Sequence, residues 1–241
     1  MAVLEARQLD VQFGEHRAVA DVSVRVDRGE IVGLIGPNGA GKTTTFNAIA
    51  GVQRCQGSVL LDGEDISGLG PHHRSRRGLN RTFQRLEVFG SMSAFDNVLA
   101  AAESAARSRR RPMRTARAVA EEVIGRVGLQ HLADRRADAL PTGQARLVEL
   151  ARALATDPKV LLLDEPASGL DEVETRRLAE VLVGLREQGL ALLMVEHDMD
   201  LVMSLCARIY VLNLGELIAS GTASEVRADR RVREAYLGAA V

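Results

Sequence analysis

The run Gly36-Pro37-Asn38-Gly39-Ala40-Gly41-Lys42-Thr43 satisfies G-x-x-x-x-G-K-[ST] at every constrained position. It follows the apolar run Ile31–Ile35, which reads as a buried strand, and precedes a helix predicted over residues 42–51. That context is what the chemistry requires. Glycines let backbone N–H groups turn inward around phosphate oxygens, and the helix N-terminus adds a favourable dipole. Lys42 then reaches the β- and γ-phosphates, the Thr43 hydroxyl ligates Mg²⁺, and Thr44 follows in the same turn. Only two lysines occur, Lys42 and Lys159, among 31 basic residues. A lysine kept where arginine is used almost everywhere fits a site that needs a compact ammonium.

A second constellation is Val160-Leu161-Leu162-Leu163-Asp164-Glu165, an apolar strand that ends in two carboxylates. At the carboxyl end of a parallel strand, Asp164 can face a magnesium site. Glu165 is then placed to orient or deprotonate an attacking water. The alternative is a strand that simply ends in solvated acids.

These residues need elements to position them. Residues 4–13 and 18–26 read as strands around a polar turn, the second alternating apolar and polar. Residues 57–61 form a further strand, closed by Asp62-Gly63. Residues 93–154 are rich in Ala, Arg, Glu and Leu at helical spacing, broken near Arg111-Pro112 and Leu140-Pro141. Strand–helix alternation then resumes with Val160–Asp164, Glu172–Glu187, residues 190–195 and a hairpin of residues 208–213 and 216–220. The expected architecture is α/β, a P-loop core with a mostly parallel sheet and helices on both faces, an antiparallel β flank and a helical subdomain. Residues 1–83 and 157–241 form the core of one domain, and residues 84–156 the helical subdomain.

Composition narrows the function classes. The chain has 241 residues, 46% hydrophobic and 26% charged, with formal net charge -1, an ordinary folded composition. Its near-neutral balance, 3% aromatics and lack of Trp argue against a nucleic-acid partner. Cys55 and Cys206 do not form a disulfide framework, so a reducing compartment is expected. No run approaches the roughly 20 apolar residues of a membrane span, so any membrane role is expected to be peripheral. Arg107-Ser108-Arg109-Arg110-Arg111-Pro112 reads as a solvated basic loop, with anionic headgroups as the sharper alternative. His72 and His73 read as part of a polar loop.

With both motifs in view, the sequence resembles the ATP-binding subunits of ATP-binding-cassette (ABC) transporters over essentially its whole length. Arg81-Thr82-Phe83-Gln84 looks like their Q-loop, Leu140-Pro141-Thr142-Gly143-Gln144 stands where the LSGGQ signature belongs, Ser168-Gly169-Leu170-Asp171 looks like the D-loop, and Glu196-His197-Asp198 looks like the switch histidine. Phe13 stands where the family places an aromatic that stacks on adenine, although a Phe taken alone more often belongs to the core. The resemblance implies ATP and Mg²⁺ as ligands and Mg²⁺-dependent hydrolysis. It implies that Gln84 senses the γ-phosphate and ligates Mg²⁺ with Thr43 and Asp164. His197 would contact the γ-phosphate, and Asp171 would couple two sites across a dimer. Thr142, Gly143 and Gln144 would cover the partner subunit's ATP. The implied partners are a second ATP-binding subunit, identical or a sister ATPase, and transmembrane permease subunits, at the cytoplasmic face of the cell membrane.

The signature departs from the family's usual form, with Pro141 and Thr142 in place of Ser and the first Gly. Proline lacks an N–H and cannot cap a helix, but it suits a first helical turn and holds Leu140 extended. Phosphate contact would then rest on the Gly143 backbone, the Thr142 hydroxyl and the helix dipole. Leu-Pro-x-Gly-Gln, the segments GLNRTFQ and LATDPKVLLLDEPASGL, and VREAYLG at residues 232–238 resemble the branched-chain amino-acid importer branch. The rival readings are a soluble ABC-type ATPase of nucleic-acid repair or translation, and a small-molecule kinase.

Overall fold

The computed structural model describes residues 2–82, 84–110 and 112–237; Phe83, Arg111 and Gly238 of the segments above lie outside them. The chain opens with an antiparallel hairpin, β1 (Ala2–Phe13) and β2 (His16–Asp27), paired from Ala2↔Asp27 to Phe13↔His16. On β2, Val22, Val24 and Val26 are buried while Asp21, Ser23 and Arg25 are exposed, so the alternation in sequence becomes one inward face. β3 (Ile31–Ile35) is buried throughout and leads through the glycine loop into α1 (Lys42–Ala50). That helix stops one residue before the predicted end because Gly51, at φ 78, takes the left-handed cap and donates to Ala48 O. β4 (Gln56–Leu61) pairs antiparallel with β1 and turns into β5 (Glu64–Asp65), giving a first sheet of order β2-β1-β4-β5.

His72 and His73 are not in a loop but in α2 (Pro71–Arg77), which Pro71 starts and Gly78 ends. Three residues form β6 (Leu79–Arg81), a strand too short and too polar to announce itself. The helical region follows as α3 (Ala94–Ser108), α4 (Arg114–Arg126) and α5 (Thr142–Leu154), with breaks at the two expected places. Ser93 caps α3 by accepting from Asp96 N at 3.0 Å. Leu140 is extended, at ψ 142, and Pro141 stands at the cap position rather than inside the first turn.

The remaining elements are β7 (Val160–Asp164), α6 (Glu172–Glu187), β8 (Ala191–Val195), α7 (Met199–Leu205), β9 (Arg208–Asn213), β10 (Glu216–Gly221), α8 (Ala223–Ala228) and α9 (Arg230–Leu237). The second sheet has the order β10-β9-β3-β8-β7-β6. Its pairs are parallel except β10 with β9, the antiparallel edge.

Both faces of this sheet are covered, which explains its continuous apolar strands. Ile31, Ile35, Leu161, Leu163, Leu192 and Met194 face the helices. Val32, Leu34, Leu162, Leu193 and Val195 face a second core built with α1 and the first sheet, including Leu4, Val24 and Phe46. Helices lie on both faces as expected, but unequally. On the second face a single helix shares the cover with an antiparallel sheet, because the alternating strands 4–13 and 18–26 also had an apolar face to bury.

Candidate active site

β3, β6, β7 and β8 run parallel, so their carboxyl ends share one edge of the sheet, where ligands of such sheets bind. Asp164 lies opposite Val195 in the register. Glu165 and Glu196 therefore leave the sheet side by side, and Glu165 N donates to Val195 O at 2.9 Å. The glycine loop enters from β3 on the same edge.

The loop itself is tightly fixed at two glycines. A Cβ on Gly36 would stand 2.1 Å from Leu212 O, and one on Gly41, at φ 100, would stand 2.7 Å from Ala18 O. Only glycine permits that approach. Pro37 is half-buried, Asn38 and Gly39 are exposed, and Ala40 packs inward. No side chain caps the N-terminus of α1, which leaves that end to an anion. Lys42 is buried, and its Nζ folds back on the loop, donating to Gly36 O at 2.7 Å and Pro37 O at 2.9 Å. Burial pulls its ammonium below the usual lysine range, and Glu165 and Asp164 pull it back up. Thr43 is exposed, Thr44 is half-buried, and Thr45 donates to Gly41 O at 3.0 Å.

Glu165 sits at φ 48, a left-handed conformation uncommon for such a residue and costly enough to invite a functional reason. Its Oε2 accepts from Gln84 Nε2 at 2.8 Å. Its Oε1 lies 2.8 Å from His197 Nε2, and a carboxylate there requires the proton on Nε2. Three residues singled out separately in sequence, spaced over more than a hundred positions, are thus brought together.

Asp164 is buried, and its Oδ2 meets Arg81 Nη2 at 2.6 Å, both side chains under a tenth exposed. Arg81 also donates to Asn47 Oδ1 at 2.5 Å and lies 5.7 Å from the Phe46 ring centre. In sequence Arg81 has no role beyond membership of the Q-loop segment; its pairing depends on β6 lying next to β7, which the pattern did not show. Glu196 is a further buried carboxyl, 4% exposed, accepting from Ala167 N at 2.6 Å and His197 N at 2.9 Å. Burial pushes it above the usual carboxylate range. It ties the segment after Glu165 to the end of β8.

The magnesium donors expected from sequence fit that ion. Thr43 hydroxyl, Asp164 carboxylate and Gln84 amide oxygens are all hard donors, and Mg²⁺ commonly keeps water and substrate phosphate in the rest of its octahedron. Asp164 Oδ2 is taken by Arg81 and Gln84 Nε2 by Glu165, which leaves Asp164 Oδ1 and the Gln84 amide oxygen to face an ion. Among the described residues no group of three or more His, Cys, Asp or Glu could hold a metal alone.

The signature segment makes a contact within its own chain. Thr142 is exposed and Gln144 half-buried, but Gly143 is buried and its N–H donates to Glu174 Oε1 of α6 at 3.1 Å. The Gly143 backbone is therefore engaged within its own chain. Asp171 caps α6, accepting from Glu174 N at 2.8 Å in a reciprocal capping box. One Glu174 carboxylate thus joins the D-loop segment to the signature. Asp171-x-x-Glu174 is a capping-box pattern that the sequence reading did not use, and the contact to Gly143 has no local signature. Phe13 is 50% exposed at the tip of the β1–β2 hairpin, so it is not a core residue. β2 lies against the loop through Ala18 and Val19.

A glycine loop with an adjacent lysine, at the carboxyl edge of a parallel sheet beside paired carboxylates, defines a P-loop nucleoside triphosphatase. Residues 19–168 match the family model of the ABC transporter, and residues 216–241 that of the branched-chain amino acid ATP-binding cassette transporter. The chain is 39% identical over 239 residues to the lipopolysaccharide export system ATP-binding protein LptB of Haemophilus influenzae, covering 99% of this chain and 98% of that one. It is 40% identical over 251 residues to the high-affinity branched-chain amino acid transport ATP-binding protein BraF of Pseudomonas aeruginosa, with the same coverage. A nucleotide-free ATP-binding cassette from an ABC transporter superposes with TM-score 0.87 at 30% identity, over 98% of this chain and 99% of the other. The chain belongs to the ATP-binding subunits of ABC transporters. It is a Mg²⁺-dependent ATPase of the kind whose hydrolysis powers transport. No helix among the described residues is long and apolar enough to cross a membrane.

Proposed function

We propose that this chain energises the import of branched-chain or related amino acids, as the ATP-hydrolysing subunit at the cytoplasmic face of a membrane permease. The observation that carries the catalytic part is the convergence of Gln84 and His197 on Glu165, beside the Arg81–Asp164 pair and the Lys42 loop. In this reading the loop Gly36 to Thr44 holds the phosphates through its backbone N–H groups, Pro37 having none to give, together with the Lys42 ammonium. Thr43, Asp164 and Gln84 hold Mg²⁺, which neutralises developing charge when bound. Glu165 orients and deprotonates the attacking water, and His197 positions Glu165 while meeting the γ-phosphate. Catalysis is then chiefly positioning and electrostatics. Phe13 takes the adenine, its exposed ring free to stack.

The same reading assigns the partners. A second ATP-binding subunit presents Thr142, Gly143 and Gln144 to the ATP held here, with Asp171 coupling the two sites. The permease contact falls on a groove of about 440 Å³ bordered by Thr82, Glu87, Phe89, Ala101 and Arg152, next to Gln84. Arg146 links that region to the signature helix: it donates to Gln84 O at 2.7 Å and pairs with Glu149 at 3.0 Å.

Amino-acid cargo is supported by the match at residues 216–241 and by the likeness to BraF. The likeness to LptB supports a second reading, a subunit of lipopolysaccharide export. Purifying the tagged chain from membranes and identifying the copurifying permease separates them. Stimulation of ATPase activity by an amino-acid-loaded binding protein supports import. Recovery with a lipopolysaccharide-extracting permease overturns it.

A further inference from the structure

A second cleft, of about 750 Å³, opens at the opposite edge of the parallel sheet. It lies where Lys159 leads into β7 and Leu190 into β8. Each strand is five residues long, so about 16 Å of sheet separates the cleft from the catalytic edge. One wall is apolar and helical, formed by Ala102 of α3 with Ala116 and Val123 of α4. The other is basic, formed by Arg28, Arg76 and Lys159, with Arg109 and Arg126 reaching in from the helical side.

Part of this charge is already answered. Lys159 lies 2.5 Å from Asp62, Arg28 3.9 Å from the same carboxylate, and Arg109 3.1 Å from Asp157. Arg77 pairs with Glu64, and Glu122 also borders the cleft. Arg126 is different. Among the described residues it pairs with no carboxylate, and its Nε is buried without an acceptor, as is that of Arg152. Its place in the last turn of α4 suits its charge, and it borders the cleft with no acid among the described residues paired to answer that charge.

We propose that this cleft binds a small phosphorylated anion, separate from ATP, with Arg126 and Arg76 on the phosphate and the alanine wall against its apolar portion. A guanidinium fork matches phosphate oxygens two at a time, as an ammonium does not. The volume lies in the range of small-molecule sites, about 300–1,000 Å³. The ligand would bridge α3 and α4 to the strands of the core. Its phosphate belongs either to a soluble ester or to a lipid headgroup.

The test uses the whole chain with ADP and Mg²⁺ saturating the phosphate loop. Phenyl phosphate is titrated calorimetrically, and phosphatidylcholine vesicles with and without phosphatidic acid are cosedimented. Binding of phenyl phosphate alone assigns a soluble ester; binding only to vesicles with phosphatidic acid assigns a headgroup. In either arm Arg126→Gln weakens binding by about tenfold or more, Arg126→Lys recovers it only in part, and ADP affinity is unchanged. Arg76→Gln, at an exposed position, gives the same direction should the Arg126 variants fail to fold. The proposal is overturned if neither probe binds, if Arg126→Gln and Arg76→Gln bind as the parent does, or if ADP displaces the probe.

Discussion

Glu165 is restrained on both carboxylate oxygens, by Gln84 and by His197, and its backbone is held left-handed. A base so fixed loses function without losing its place, so Glu165→Gln should retain ATP binding and lower turnover at least about 10²-fold, the range of a lost acid–base group. Single-turnover hydrolysis checks this; a normal rate assigns the water to another residue. Lys42→Ala removes the buried ammonium that reaches across the loop. ATPase activity should fall to background and nucleotide affinity should drop, as read by titration with ATP on a chain whose circular dichroism is unchanged. Arg81 carries a different expectation, because it shields a buried acid. Arg81→Ala strands Asp164 and should cost about 3–5 kcal/mol of stability, as breaking one half of a buried pair does. Denaturant unfolding measures it, and a loss under about 1 kcal/mol would mean that Asp164 is solvated in solution. Lys42, Asp164 and Glu165 were legible in sequence because each lies within a few residues of the strand that presents it. Arg81 and Glu174 were not, since their partners are 83 and 31 positions away and no local pattern encodes that distance.

At the scale of elements, legibility followed the strength of the periodic signal. β3, β7 and α6 have the bounds expected from sequence, five apolar residues or a full amphipathic stretch between clear turns. β6, α2 and α7 were not foreseen, being three to seven residues long, too short for a period to emerge. α5 shows how an element transmits more than its own pattern. Its N-terminus carries Thr142 and Gly143; one turn on, Arg146 donates to Gln84 O, and it forms a buried pair with Glu149 a turn further. Burial pushes the Glu149 carboxyl up, with Arg146 opposing. A carboxyl raised on folding contributes stability that is complete below the unfolded value of about 4.3 and is lost as pH climbs through the raised folded value. Glu149→Gln removes that titration. Its melting temperature should gain on the parent's as pH rises from 4 through the carboxylate range, as read by thermal unfolding across pH. An unchanged difference would mean that Glu149 titrates like a solvated acid.

At the scale of the whole molecule, the proposed second subunit would have to close over the phosphate loop. The phosphate loop lies open at one edge of the sheet, with Asn38, Gly39 and Thr43 exposed, while Thr142 stands exposed at the start of α5. No element among the described residues covers Asn38, Gly39 or Thr43, and the Gly143 N–H is already taken by Glu174. A partner's signature covering the ATP would complete the site, and complementation tests this arrangement. Gly143→Asp is a poor probe, because a Cβ there meets the Glu174 carboxyl at 2.6 Å and disturbs its own chain. Thr142→Asp is better: it is exposed, an acid suits a helix N-terminus, and its charge would repel the partner's γ-phosphate. Lys42→Ala and Thr142→Asp should each be inactive alone. In a mixed dimer one site combines both defects and the other pairs a normal loop with a normal signature. With random exchange between two-fold symmetric dimers, mixing equal amounts should restore about a quarter of the parent ATPase rate. A dead mixture, with exchange demonstrated by a labelled subunit, places both halves of the site in one chain. If the chain does not self-associate in ATP, the same mixing is repeated with a sister ATPase, and activity should return only when the sister's signature faces an intact Lys42.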